Sequence, residues 1–425
     1  MARKMKNSGL PWVGKIPSDW EIKRLKYAAD YFYKGNGITK DEVFEDGDIS
    51  CIRYGEIYSK YNGAFVNCIS KTKLMVQESP RHIKKGDILF ACTGELVEEI
   101  GKNIVYMGNN PCLVGGDIIV MRHQKDPIFM NYALNSYAQT QKSEGKAKLK
   151  VVHISSKDIQ NLMVLLPTLP EQKTIADFLD KKCAEIDGLL ADLEAEVKTL
   201  AEYKKSIIAE TVTRGLNPNA PMKQSGIPWV GDMPSHWKVI ANKYIMHKKK
   251  DIAPIYEGQD IISLSMNGVI VRDLGAGGKM PTTFNGYQHI YPGNLLMCLF
   301  DIDVTPRCIG LIKNDGLTSP AYSQFVMERE AYAPYYYYFY LKMDNDKELV
   351  HLSKNMRHSL NEEQFGMIKT IFPPREEQEA IATYLDEKCA MIDQSTADKL
   401  TQIETLKSYK SSLIYEYVTG KKQVI

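Results

Sequence analysis

The sequence has no apolar run near the roughly 20 residues that a membrane-spanning helix needs. Its basic start, Met1-Ala2-Arg3-Lys4-Met5-Lys6-Asn7, is not followed by the apolar stretch of a secretory signal. Both absences point to the cytoplasm. Eight cysteines are scattered over the chain and none stands in a CxxC pair. A structural zinc site needs close-spaced ligands, so free cytosolic thiols are expected and zinc is not. Charge of one sign is missing too, since 54 Lys and Arg against 52 Asp and Glu leave a net +2. That is no footprint of strong non-specific nucleic-acid binding, although a local basic patch suffices for a specific one. With 44% hydrophobic and 25% charged residues the composition is that of a globular protein, which excludes disorder and collagen-like repeats. A length of 425 residues allows two or three domains.

Catalytic signatures are absent as well. Gly9-Leu-Pro-Trp-Val-Gly14-Lys15 has the spacing of a phosphate loop, but Ile16 stands where Ser or Thr must hold Mg²⁺, and Pro11 and Pro17 spoil the strand–loop–helix setting. Gly275-Ala-Gly277-Gly278 lacks the βαβ frame of a dinucleotide site and reads as a hairpin loop. There is no Asn-Pro-Pro-Tyr or Asp-Pro-Pro-Tyr of an amino-methyltransferase and no HExxH. None of the eight histidines pairs with a cysteine or serine at a recognised spacing. This favours a binding protein over an enzyme.

What the sequence does contain is an internal copy. Gly9-Leu-Pro-Trp12-Val-Gly14-Lys-Ile-Pro17-Ser18-Asp-Trp20 returns as Gly226-Ile-Pro-Trp229-Val-Gly231-Asp-Met-Pro234-Ser235-His-Trp237, 217 residues later. Gly86-Asp-Ile-Leu-Phe90 returns at 293–297 and Pro127–Leu134 at 334–341, both at an offset of 207. Glu171-Gln172 through Phe178-Leu-Asp-Lys-Lys-Cys183-Ala-Glu-Ile-Asp187 returns as Glu377-Gln378 through Tyr384-Leu-Asp-Glu-Lys-Cys389-Ala-Met-Ile-Asp393, at 206. Four collinear matches mark a duplicated chain. The copies are uneven. The Pro-Trp-Val-Gly and Glu-Gln segments stay close, whereas the stretches between them, about 21–166 and 238–372, keep only a hydrophobic skeleton. A shared framework around two diverged modules suggests similar tasks performed on two different targets.

The Glu-Gln segments open long helices. Leu179, Ile186, Leu193, Leu200 and Ile207 stand seven apart, with Leu189 and Tyr203 at d-type positions. Pro170 precedes the run, and Arg214-Gly215 with Asn217-Pro218 stops it. In the second copy Leu385, Ile392, Leu406 and Leu413 keep the spacing, and Lys399 interrupts it. Neither helix can bury its stripe alone, so a pseudo-symmetric pair is the simplest solution. Packing of each helix on its own module only is the alternative. The modules alternate short apolar strands with Gly/Asp turns at 46–53, 86–90, 116–120, 261–264, 267–271 and 294–299. A helix follows in each (about 127–140 and 334–348), then a strand running into a proline (162–167 and 368–373). The fold class is α+β. Tyrosines 335–338 read as core and helix face rather than as a base-stacking platform.

Basic residues cluster at Arg81-His82 with Lys84-Lys85, from Lys142 to Lys150, at His247-Lys248-Lys249-Lys250, and at Lys354 with Arg357-His358. Such clusters can neutralise phosphates, and for any one of them solvated surface charge is an equal reading.

Together, the Leu-Pro-x-x-x-Glu-Gln and Pro-Pro-x-Glu-Glu-Gln turns into heptad helices, the Pro-Trp-Val-Gly segments, and Ile52-Arg53-Tyr54-Gly55-Glu56-Ile57 resemble the specificity subunits of type I restriction–modification systems. So does Ile175-Ala176-x-Phe178-Leu179-Asp180 after Glu171-Gln172. The resemblance covers the whole chain. It implies a target recognition domain over 1–169, a spacer helix over 170–216, a second recognition domain over 217–373 and a second helix over 374–425, with the helices antiparallel. Each domain would read one half of an asymmetric, split double-stranded DNA site. Two methyltransferase subunits would assemble around the chain, joined in the full complex by restriction–translocation subunits. S-adenosylmethionine, ATP and Mg²⁺ would sit in those partners and no cofactor in this chain. The candidate DNA contacts are Arg53, Tyr54, Arg81, Lys84, Lys85, Lys146, Lys148, Lys248, Lys249, Arg272, Lys279, Arg307, Lys354 and Arg357. The rival readings are a coiled-coil scaffold without DNA and a stand-alone methyltransferase or nuclease.

Overall fold

The computed structural model describes residues 3–73, 75, 81–144, 152–275, 281–353 and 358–424. It forms two compact units, one of Met1–Leu193 with Thr401–Ile425 and one of Glu194–Leu400. Candidates Lys146, Lys148, Lys279, Lys354 and Arg357 lie outside the described residues.

The first unit is built on a five-stranded sheet, ordered Tyr31–Lys34, Ile118–Arg122, Ile88–Ala91, Asn103–Tyr106, Ala64–Phe65. Strand Ile88–Ala91 is buried on both faces, which explains its unbroken Ile-Leu-Phe-Ala run. Leu89, Ala91, Ile118 and Val120 point to an outer layer, where Ile52 and helix α1 (Tyr54–Ser59) cover them. Ile88, Phe90, Ile119 and Met121 point the other way, onto helix α2 (Pro127–Asn135) and the framework residues Trp20, Leu179 and Leu413. Asp126 caps α2 by accepting from the Phe129 amide at 2.8 Å. The single helix expected over 127–140 is broken at Ser136, whose φ −106° and ψ −109° lie outside the helical region. Helix α3 (Tyr137–Ser143) resumes beyond it. After α4 (Ser156–Asn161), strand Met163–Leu166 pairs antiparallel with Glu21–Arg24 and leads through Pro167 into α5 (Leu169–Arg214).

The second unit repeats this plan with a four-stranded sheet, ordered Met246–Lys249, Ser323–Met327, Leu295–Met297, Ile309–Leu311. Its hairpin pairs Ile262–Ser265 with Gly268–Val271 across Met266-Asn267, as the Asn-Gly signal indicates. Helix α6 (Ala333–Asn345) carries the tyrosine run. Tyr335, Tyr336, Tyr338 and Tyr340 are buried, and each hydroxyl donates to an oxygen: Val212 O, Ile371 O, Asp386 Oδ1 and Asn242 Oδ1. Large rings with a satisfied polar tip are core material. Helices α7 (Glu348–Leu352) and α8 (Glu362–Met367) follow. Strand Lys369–Phe372 then pairs with Lys238–Ala241 and leads into α9 (Arg375–Val418).

The two long helices run antiparallel within each unit. In the first, the Phe178 and Tyr417 rings lie 4.4 Å apart, and Lys410 Nζ donates to Asp187 at 2.6 Å. In the second, Lys204 Nζ donates to Asp393, also at 2.6 Å. These are one ion pair occurring twice, at the offset of 206. Leu179, Ile186, Ile207, Leu385, Ile392 and Leu413 are buried, and Leu193, Leu200 and Leu406 are half-buried. Lys399 keeps its place in the row. It is half-buried there, and its ammonium pairs with Glu196 of the other helix. Leu189 and Tyr203 do not join the seam, because a two-helix contact takes only a narrow stripe; they are 53% and 52% exposed.

Candidate nucleic-acid interface

The repeated motifs turn out to be the joints that hold each module on its helices. Gln172 is buried just inside α5. Its Oε1 accepts from the Asp126 amide at 3.0 Å and its Nε2 donates to Pro167 O at 2.8 Å. Gln378 does the same in the second unit: its Oε1 accepts from the Tyr332 amide at 2.8 Å, and its Nε2 donates to Pro373 O at 2.8 Å and Glu330 O at 3.1 Å. The neighbouring glutamates take the indoles of the Pro-Trp-Val-Gly segments. Trp20 Nε1 donates to Glu171 at 3.1 Å and Trp237 Nε1 to Glu377 at 2.9 Å. Tyr132 and Tyr338 complete the set by donating to Asp180 and Asp386. Segments far apart in sequence thus share one hydrogen-bonded knot.

On the outer layer of the first module, strand ends leave a cleft of about 700 Å³. Lys34, Lys40, Arg53 and Lys60 surround it, Tyr54 lies at its edge, and backbone at Gly37, Gly55, Gly115 and Gly116 forms much of its wall. Glycine is required at the approach: a Cβ on Gly35 would sit 2.2 Å from Gly115 O. Arg53 is held from below by Glu56, with NH2 3.5 Å from Glu56 Oε1. The Glu56 carboxylate is itself buried, accepting from the Arg53 amide at 2.9 Å and from the Ser70 hydroxyl. Arg53 Nε is buried and has no hydrogen-bond partner among the described residues. Lys34 pairs loosely with Asp117 at 3.4 Å. Four cations face two carboxylates, so the cleft is a local positive well in a nearly neutral chain.

The other candidates stand apart from that cleft. Arg81 is exposed, its guanidinium 5.8 Å above the Tyr33 ring. Beside it Arg122 is pinned by Asp87 at 2.9 and 2.6 Å and lies 5.1 Å from the Tyr31 ring. Burial pushes the Tyr33 hydroxyl well above its usual pKa, so it stays protonated. Lys84 and Lys85 are exposed in the turn before Ile88–Ala91. In the second module Lys249 Nζ lies 3.8 Å over the Tyr291 ring, while Lys248 borders a smaller cleft with Phe300 and Phe325. Arg272 is half-buried beyond the hairpin. Arg307 spends NH1 on the buried Asp344 and on Asn345, both at 3.1 Å. Lys34, Lys40 and Lys60 escape a sequence scan because none lies in a basic run; only the fold brings them to Arg53. Among the described residues no group of three or more His, Cys, Asp or Glu could hold a metal ion, and no helix is long and apolar enough to cross a membrane.

Residues 17–199 match the type I restriction modification DNA specificity domain. The chain is 24% identical over 453 residues to the putative type I restriction enzyme MjaX specificity subunit of Methanocaldococcus jannaschii, covering 97% of this chain and 96% of that one. It is 23% identical to the MjaVIII specificity subunit of the same organism, covering 96% and 94%. Among solved structures, a chain from a study of complex assembly and conformational transition in a type I restriction–modification system shares the fold. Its TM-score is 0.71 at 13% identity, covering 96% of this chain and 99% of that one. The HsdS subunit of Thermoanaerobacter tengcongensis gives a TM-score of 0.51 at 14% identity, covering 96% and 98%.

Proposed function

The chain belongs to the specificity subunits of type I restriction–modification systems, and from that premise we propose that it reads a two-part DNA site, one half with each module. The observation that carries this is the contrast within the repeat. The joints are the same in both copies, while the outer layers differ: a four-cation cleft around Arg53 in one, a lysine strand with Lys248 and Lys249 in the other. Identical mounts with different reading surfaces suit a bipartite, asymmetric target. Lysines around each surface position the backbone through phosphates, and a few side chains at base edges choose the sequence. Arg53 suits the second role, since it lines the cleft and its guanidinium is oriented there by Glu56.

The helix pair sets the number of unread base pairs and docks two methyltransferase subunits, with restriction–translocation subunits added in the full complex. This chain performs no catalytic step. S-adenosylmethionine, ATP and Mg²⁺ are held by those partners, and the assembly works in the cytoplasm. The test is a module exchange. Replacing 21–166 by the equivalent stretch of another specificity subunit changes one half-site in methylation-site mapping and leaves the other intact. A change in both halves, or in neither, refutes the reading. Transfer of labelled methyl groups by the purified chain alone refutes the non-catalytic role.

A further inference from the structure

The two repeats serve as each other's control. In the diverged stretches, buried positions have changed: Leu25 stands where the second copy has Asn242, and Ala28 where it has Ile245, all four buried. Between them an exposed pair has not changed. Lys26-Tyr27 and Lys243-Tyr244 are 217 apart, the offset of the Pro-Trp-Val-Gly segments. Drift ordinarily runs the other way, with packing holding the core and the surface left free. Tyr27 is 70% and Tyr244 66% exposed. The lysine ammonium lies 5.0 Å from the ring centre in one copy and 5.1 Å in the other. Among the described residues neither lysine has an ion pair and neither tyrosine hydroxyl a hydrogen-bond partner, so stability does not explain their retention.

Different cores build the same turn beneath them. Both pairs end a one-turn 3-10 helix, Leu25–Tyr27 and Asn242–Tyr244. The Leu25 amide donates to Leu162 O at 2.7 Å and the Asn242 amide to Ile368 O at 3.0 Å. Leu25 and Ala28 pack in the cluster of Trp20, Leu179 and Leu413, and Ile245 in that of Trp237 and Leu385. The turns therefore belong to the framework layer. Arg53, by contrast, rises from strand Ile49–Ile52 on the opposite layer, where Ile52 and Tyr33 pack.

A surface kept alike on both frameworks must meet the same thing twice. Half-sites of different sequence do not meet that description at their bases; a protein bound in two copies does. We propose that Lys26-Tyr27 and Lys243-Tyr244 are one docking point used twice, each seating one copy of the methyltransferase subunit. A partner carboxylate pairs with the lysine, and an apolar partner group covers the tyrosine ring. Exposed tyrosines with a rigid ring and a pre-placed cation are suited to anchor an interface. This rests on the function proposed above.

The test uses the full chain with purified methyltransferase subunit, counted by native mass spectrometry and titrated for affinity. Three variants are needed: Lys26→Glu with Tyr27→Ala, Lys243→Glu with Tyr244→Ala, and all four together. The unchanged chain takes up two copies. Each double variant keeps one copy at full affinity and binds the second at least about tenfold more weakly, and the fourfold variant loses both. Thermal unfolding of all three matches the parent, because the altered side chains are exposed. Two copies bound with affinities within about twofold of the parent overturn the proposal alone. So does intact uptake of both copies with DNA affinity losing about one phosphate contact's worth of salt dependence per lysine, which marks a phosphate site instead. If the unchanged chain takes up no methyltransferase, the reading of the function falls and this proposal with it.

Discussion

Replacing Gln378 by leucine keeps most of its volume and removes three hydrogen bonds from a fully buried place. The Tyr332 amide loses its acceptor, and Pro373 O and Glu330 O lose their donor. An orphaned buried N–H costs about 1–3 kcal/mol. The two carbonyls add less, since each keeps a second lone pair and α9's first turn lies close by. Leucine returns about 1 kcal/mol through its apolar surface. The net cost is about 2–4 kcal/mol. Gln172→Leu strips only the Asp126 amide and Pro167 O and costs about 1–3 kcal/mol by the same reasoning. With a urea slope of about 2–3 kcal/mol per molar, the midpoint falls by about 1 M for Gln378→Leu and by less for Gln172→Leu. Urea unfolding followed by hydrogen exchange assigns each loss to a unit, which matters because two units need not melt together. Gln378→Leu should lower protection in Glu194–Leu400, and Gln172→Leu in the other unit. A midpoint within about 0.2 M of the parent for Gln378→Leu would show that the joint is not held by this side chain.

Other consequences can be measured directly. Lys142 is fully buried, donating to Gly101 O at 2.7 Å, Asn103 Oδ1 at 2.9 Å and Gln139 Oε1 at 3.3 Å, and burial pushes its pKa down to about 7. The unfolded lysine titrates near 10.4, so between these values the unfolded state binds the extra proton and stability of the first unit rises with pH, by up to about 1.4 kcal/mol per unit. Below pH 7 this contribution is flat. The slope should appear in urea midpoints between pH 7 and 8.5, before the Cys51 and Cys92 thiols, pushed up to about 12, oppose it. Lys142→Met should abolish it, and a slope that survives the substitution belongs to another group. Deleting 190–196 together with 396–402 removes one heptad from each helix, including both members of the Glu196–Lys399 pair. The loss of about 10 Å should shorten the DNA spacer by about three base pairs, and an unchanged spacer in methylation mapping sinks the ruler. Arg53→Ala should relax sequence choice in one half-site only and weaken binding about tenfold; uniform weakening across all sequences would reduce Arg53 to a phosphate contact.

Much of this architecture is legible in the chain because duplication writes it twice. The first helix stops at Arg214, before Gly215 as expected, but starts at Leu169, so that Pro170 sits inside its first turn rather than ahead of it; the second, Arg375–Val418, ends short of the 374–425 segment. The chemistry of Glu171-Gln172 is not legible. Its partners, Trp20 and the Asp126 amide, lie 151 and 46 residues away, and a motif does not name what it touches. The break at Ser136 is a backbone event with no Gly or Pro to announce it. The cleft draws Lys34, Arg53 and Gly115 from separate strand ends and Lys60 from the end of α1, a juxtaposition that depends on sheet order rather than on composition.

The joint between module and helix has a bearing on inheritance. Each glutamine grips the module by a main-chain amide, that of Asp126 in one copy and of Tyr332 in the other. A main-chain N–H is supplied by nearly any residue, so the grip is indifferent to what the module has become. The indole–carboxylate bonds of Trp20 and Trp237 lie wholly in the framework. A stretch of gene bounded by those two seams therefore meets main-chain grips that ask nothing of its sequence, and of the joint's bonds only those of Tyr132 and Tyr338 to Asp180 and Asp386 require a particular side chain from the module. On the proposed function, recombination at those seams would change one half of the target in a single event, where a continuous recognition surface would need many successive mutations.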